Sequence, residues 1–140
     1  METFNKNFGI DGSKCLERTF ISLEYAINVS EDTVVNFCMN EGIDEDRATM
    51  AGIVVEELAT NVVRHGAKNK NDFNAYVHVY LDDKIIVHIC DDTPVFNPLE
   101  QLKKDHDYAE ENVGLRLVQG IAKDFEYNNS AGFNNVIITL

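Results

Sequence analysis

The chain has 140 residues, 44% of them hydrophobic and 26% charged, which makes one domain able to bury roughly 70% of the surface its unfolded form exposes. With 12 basic against 24 acidic residues the formal net charge is −12, and this excludes nucleic acid and anionic membranes as natural partners, since counterion release rewards positive charge. No apolar run approaches the ~20 residues of a bilayer span, and Met1-Glu2-Thr3-Phe4-Asn5-Lys6 lacks the charged-then-apolar order of a signal peptide, so a cytoplasmic location is expected.

Residues 1–17 carry glycines and charges with little periodicity and read as a flexible or docking arm, with the folded domain expected over 18–140. Arg18 to Ala26 alternates like a strand, setting Phe20, Ser22 and Glu24 against Ile21, Leu23 and Tyr25. Ser30 before Glu31-Asp32-Thr33 is a helix start, because the hydroxyl caps free N–H groups and the acids suit the positive helix end. Val34, Val35, Phe37 and Cys38 give that short helix its apolar face and Gly42 its stop.

A long helix is expected to open at Asp44-Glu45-Asp46 and stop at Gly66. After a polar loop from Lys68 to Asn74 the period changes to two, with Val77, Val79 and Leu81 on one face and Tyr76, His78 and Tyr80 on the other. Asp82-Asp83-Lys84 turns the chain into a more buried strand, Ile85 to Cys90. Pro94 and Pro98 are expected to end regular structure, and Leu99 to Asn112 to form a polar, mobile loop. Asn112 is the expected cap of a last helix carrying Leu117, Val118, Ile121, Ala122 and Phe125. A hairpin closes the chain, from Phe125-Glu126-Tyr127 through a turn near Asn128 to Gly132 and back along Val136 to Leu140. Adjacent hairpin strands with helices segregated between them predict an α+β, two-layer sandwich: a mixed, mainly antiparallel sheet with helices on one face.

Within the long helix, Glu57, Asn61 and His65 recur every four residues, about 400° of rotation, and so form one stripe. The neighbouring stripes Val54/Leu58/Val62 and Val55/Ala59/Val63 are apolar. A carboxylate and an amide at that border need a polar partner, because an unpaired carboxylate there is costly. The three cysteines, Cys15, Cys38 and Cys90, are odd in number and widely spaced, which points to reduced thiols rather than disulfides or a thiolate zinc site. His78 and His88 fall on neighbouring strands as a cross-strand polar pair.

Three segments in this order resemble the nucleotide site of the histidine-kinase-like ATPase superfamily, and above all its anti-sigma-factor serine kinases. Glu57-Leu58-Ala59-Thr60-Asn61 with His65-Gly66 is similar to the asparagine box, in which the glutamate is the general base and the asparagine oxygen holds Mg²⁺. Cys90-Asp91-Asp92-Thr93-Pro94-Val95-Phe96-Asn97-Pro98 is similar to the box whose aspartate, here Asp91, accepts the adenine amino group, with Thr93 and Phe96 beside the base. Thr93 replaces the family's usual glycine and is expected to crowd the base. Glu111-Asn112-Val113-Gly114-Leu115-Arg116-Leu117-Val118 is similar to the second glycine box, whose helix start faces the phosphates, and Asn112 stands where its first glycine lies.

The resemblance implies a Bergerat-type fold, ATP and Mg²⁺ as ligands, and transfer of the γ-phosphoryl group to a serine of a small partner protein of the anti-anti-sigma kind. It further implies a sigma factor as a second partner and a homodimer through the sheet. The first helix, Ser30 to Asn40, has no basic residue where those kinases present an arginine. The alternative expectation is a nucleotide-binding regulatory module with weak or no kinase activity, part of a larger signalling protein.

Overall fold

Period-two alternation produces the centre of the sheet, the hairpin of β2 (Ala75–Leu81) and β3 (Ile85–Asp91). In the computed structural model, which describes residues 14–20, 31–69, 73–104 and 110–140, these strands pair antiparallel from Ala75 opposite Asp91 to Leu81 opposite Ile85. Strand β1 (Lys14–Phe20) adds to one edge of β2. On the other side of β3, β5 (Phe133–Thr139) and then β4 (Asp124–Ser130) complete a five-stranded sheet of order β1-β2-β3-β5-β4. Every one of these pairings is antiparallel.

Helix α1 (Glu31–Asn40) buries Val34 and Cys38 and ends in a Schellman motif. Ile43 N donates to the Cys38 carbonyl at 3.0 Å and Gly42 N to that of Met39 at 3.1 Å, with Gly42 at φ 90°. Helix α2 (Glu45–Asn69) starts on Asp44, whose carboxylate accepts the Arg47 N–H at 3.2 Å. Its apolar stripe Ala51, Val54, Val55, Leu58 and Val62 forms one cluster with Val77, Val79, Val87, Ile89 and Ile138 from the facing side of the sheet. Each fully buried Val, Leu or Ile there contributes about 1.5–3 kcal/mol, so α2 is fixed over the sheet and its polar stripe is fixed with it.

Several boundaries differ from the expected ones. β1 begins at Lys14, inside the predicted arm, because residues 14–17 continue the ladder with β2; Ile21 to Ala26 and the Ser30 cap lie outside the described residues. Helix α2 passes through Gly66 to Asn69: an internal glycine costs a helix only about 1 kcal/mol and is no obligatory stop. Pro98 opens a helix rather than ending structure. Helix α3 (Pro98–Lys104) has proline at its first position, and Asn97 Oδ1 accepts from Leu99 N at 2.9 Å and Glu100 N at 3.4 Å. Most of the expected mobile loop is therefore helical, apart from 105–109, which lie outside the described residues.

Helix α4 (Glu110–Ile121) starts two residues before Asn112, which sits within its first turn and is not its cap. The last hairpin turns on Ala131 and Gly132 alone, at φ 53° and 82°, the two left-handed residues of a type I′ turn. Asn128, Asn129 and Ser130, read as turn residues, belong to β4 because amides bond across the ladder: Asn135 Nδ2 donates to Asn128 Oδ1 at 3.3 Å and Asn129 Nδ2 to Asn134 Oδ1 at 3.2 Å.

His78 and His88 do face one another, as register partners with ring centroids 5.9 Å apart. The three cysteines are free thiols, Cys38 buried and the other two half-buried.

Candidate functional site

The stripe on α2 divides. Asn61 and His65 line a cavity over the sheet, together with Leu58 and Val62 from the same helix, Ile89 and Asp91 from β3, Thr93, Phe96 and Pro98 from the segment after it, and Asn134 and Val136 from β5. Asn61 is 8% exposed, and its Oδ1 is buried with no hydrogen-bond partner among the described residues. An orphaned buried acceptor costs about 1–3 kcal/mol, and a donor or cation entering the cavity would offset that cost. The His65 imidazole stacks on the Phe96 ring at 3.8 Å between centroids, forming one wall.

The second group sits where β3 ends. Asp91 is 5% exposed, and burial pushes its carboxyl above the usual carboxylate range, opposed by hydrogen bonds from Thr93 and Asn134. Those bonds converge on one oxygen: Oδ1 accepts from Thr93 N at 3.1 Å, from the Thr93 hydroxyl, and from Asn134 Nδ2 at 3.1 Å. Among the described residues Oδ2 accepts none. A buried carboxylate with one oxygen saturated and the other open is built to accept from a donor entering the cavity. The Thr93 side chain, expected only to crowd a base, therefore also holds Asp91. A polar clamp anchors the start of this segment, with Asn74 N and Nδ2 each donating to the Asp92 carboxylate at 2.8 Å and Asp92 N to the Asn74 carbonyl at 3.1 Å.

The third group lies apart from the cavity lining. Gly114, in α4, rests directly on Glu57: a Cβ built on it would overlap the Glu57 carboxylate, with Cδ only 3.1 Å away. Glu57 is half-buried, Val113 is exposed and the Leu115 side chain is core. The asparagine-box glutamate thus meets the second glycine box, while Asn61 and His65 meet the aspartate box. Gly66 lies in the last turn of α2 and Asn112 in the first turn of α4.

The cavity itself is small, about 20 Å³, room for about one water molecule. Among the described residues no group of three or more His, Cys, Asp or Glu is placed to hold a metal. Magnesium fits this donor set, since it binds through one or two protein oxygens and takes its other ligands from water and phosphate; Asn61 Oδ1 is such an oxygen. Asn134 was not anticipated, although the sequence carried a signal: it is in phase with Val136 and Ile138, a polar residue on the core face of a strand.

No helix of the described residues is long and apolar enough to cross a membrane. No match to the chain is found among curated proteins. The model of one family, described as the histidine kinase-like ATPase domain, matches residues 23–140, a span holding all three boxes and the cavity. The chain belongs to the histidine kinase-like ATPase domain family, and ATP is the ligand that this membership supports.

Proposed function

We propose that this chain is a Mg²⁺-ATP-binding regulatory protein that phosphorylates a serine on a small partner protein. One observation carries the reading: a single cavity is lined by both Asn61, whose buried Oδ1 lacks a partner, and Asp91, whose Oδ2 is open. In this reading Asp91 Oδ2 accepts from the adenine amino group, and the His65–Phe96 stack and Thr93 bound the base. Asn61 Oδ1 is the protein ligand of Mg²⁺. The N-terminal end of α4, with Asn112 and Val113 in its first turn and Gly114 and Leu115 next along the helix, faces the phosphates, where the free N–H groups of the first turn suit an anion.

Mg²⁺, when bound, offsets negative charge on the phosphate oxygens. Glu57 takes the proton of the serine hydroxyl on a carboxylate oxygen as that hydroxyl's oxygen bonds to the γ-phosphorus. The bond to the bridging oxygen breaks, and ADP leaves. Helix α1 presents no basic residue, so the proposed partner is the small substrate protein rather than a sigma factor. A homodimer through the sheet remains part of the proposal only as far as the family likeness extends.

A second reading has its own support. Glu57 packs on Gly114 and does not line the cavity, an arrangement that suits a nucleotide-responsive regulator with weak or no transfer. Calorimetric titration with ATP, with and without Mg²⁺, tests binding, and absence of binding would overturn both readings. Incubation with γ-labelled ATP and candidate partner domains separates them. Label on a partner serine, lost in Glu57→Ala, supports the kinase; tight Mg²⁺-dependent binding without label supports the regulator.

A further inference from the structure

Asn134 sits on β5 opposite Asp91 of β3 and opposite Asn129 of β4, and only 3% of it is exposed. Its Nδ2 donates to Asp91 Oδ1 at 3.1 Å, to the Thr93 carbonyl at 3.1 Å and to the Pro94 carbonyl at 3.2 Å. Its Oδ1 accepts from Phe96 N at 3.1 Å, from the Tyr127 hydroxyl at 2.6 Å and from Asn129 Nδ2 at 3.2 Å. The orientation of the amide is forced, since two backbone carbonyls can only accept and the Phe96 N–H can only donate. One side chain therefore holds Asp91 and both ends of the segment from Thr93 to Phe96 that walls the cavity.

We propose that Asn134 is the positioning residue that sets base selectivity: by saturating Asp91 Oδ1 and bracing the 93–96 segment, it leaves Oδ2 as a pure acceptor, which takes a base bearing an exocyclic amino group and rejects one bearing a carbonyl there. The proposal rests on the reading of Asp91 as the base contact. Its physical core is the charge state. An ionised carboxylate only accepts, whereas a protonated one also donates and would tolerate the carbonyl. Burial drives Asp91 toward protonation, and the Asn134 amide is one of the donors opposing it. Turning that amide into acceptors sets oxygens against Oδ1 and two carbonyls, which frees or protonates Asp91.

The test is calorimetric titration with ATP and with inosine triphosphate, in which a carbonyl replaces the amino group, between pH 5.5 and 8. Wild type, Asp91→Ala, Asn134→Asp and Tyr127→Phe are compared, with unfolding midpoints measured in parallel. Wild type is expected to favour ATP on the order of 30-fold, the worth of one hydrogen bond to a charged group. Asn134→Asp is expected to bring that ratio to within about 3-fold at neutral pH, with the residual preference recovering as pH rises. Tyr127→Phe leaves Asp91 untouched and removes one support of Asn134 Oδ1, so it is expected to lower the ratio about 3-fold; it decides the matter alone if Asn134→Asp does not fold. A ratio preserved in both variants, even with weaker overall affinity, reduces Asn134 to a structural residue and overturns the proposal while leaving Asp91 in place. A wild type that does not discriminate between the two nucleotides, or an Asp91→Ala variant that keeps the wild-type ratio, overturns the Asp91 reading and this proposal with it.

Discussion

Replacing Gly114 by alanine separates the two roles that meet at Glu57. The added Cβ would overlap the Glu57 carboxylate and lie 3.1 Å from its Cδ, so the carboxylate must swing away. That movement is at the flexible end of a long side chain. Its cost is offset in part by the gain of about 1 kcal/mol when glycine inside a helix becomes alanine. Stability is therefore expected to change by no more than about 1 kcal/mol, within the range of ordinary surface substitutions. Transfer behaves differently, because a positioned general base is worth about 10²–10⁴ in rate. Gly114→Ala is expected to lose most of that factor through Glu57, so in a Glu57→Ala background it should add almost nothing. Denaturant unfolding of the four proteins of the cycle, beside phosphoryl transfer to a partner domain, checks both halves. Full transfer by Gly114→Ala, or an equal further loss in the Glu57→Ala background, would refute the argument that Gly114 makes room for the base.

Asn61→Leu removes a buried acceptor that has no partner and keeps the volume, so it should stabilise the protein by about 1–3 kcal/mol and raise the thermal midpoint by several degrees, while abolishing the Mg²⁺ dependence of ATP binding; a lower midpoint in calorimetry would show that Oδ1 is satisfied. Thr93→Val keeps the bulk but deletes the donor to Asp91 Oδ1 and should weaken ATP about 10-fold, the low end for a hydrogen bond to a charged group; unchanged affinity in titration would mean that the hydroxyl does nothing for Asp91. His78 and His88 are both buried and pushed down to about 4 by that burial. Their folded values lie below the unfolded one, so the unfolded chain binds the extra protons and stability should fall as pH drops from 6.5 toward 4, by about 1.4 kcal/mol per pH unit for each histidine in mid-range. Urea midpoints measured across that window should flatten in His78→Gln. Ala131→Asn places at φ 53° a residue that tolerates the left-handed region, and creates the Asn-Gly pair that type I′ hairpins favour; a gain of about 1 kcal/mol is expected, and a loss would contradict the turn.

The parts of the fold legible in the sequence are those whose signal is periodic. The β2–β3 hairpin and the apolar stripe of α2 follow from which residues recur at two or at 3.6; in α4 the expected set holds for the buried Val118 but not for Leu117, which is exposed, or Phe125, which lies in β4, and Leu115 enters the core instead. What escaped was local chemistry that carries two meanings. Asn97-Pro98 reads equally as a break and as a cap followed by a first-turn proline, and only the docking of Leu102 into the core decides for a helix. Gly66 reads as a stop, yet α2 carries on past it. Asn128 to Ser130 read as a turn because amides are uncommon in strands, and they are held there by partners on β5 that are distant in neither sequence nor space but invisible to a one-strand pattern.

The site shows the same division. Asn61 stands out because it interrupts an apolar helix and Asp91 because it ends the buried strand at the position matching the aspartate box, and both line the cavity. The stripe argument, however, places Glu57, Asn61 and His65 on one line without saying what covers each turn, and it is α4 that separates Glu57 from the other two. Thr93 and Asn134 have to be read as a pair. A threonine where the resemblance to the aspartate box leads one to expect glycine looks like an obstacle when the box is read alone; with Asn134 across from it, the same residue supplies two of the three donors that fix Asp91 Oδ1. A glycine there would leave its N–H but remove the hydroxyl, and Asp91 would lean harder on Asn134. On the proposed reading of Asp91 as the base contact, selectivity for the base and tolerance of Thr93 are two consequences of one network, and a Thr93→Gly, Asn134→Asp double variant should lose more discrimination than the sum of the single changes.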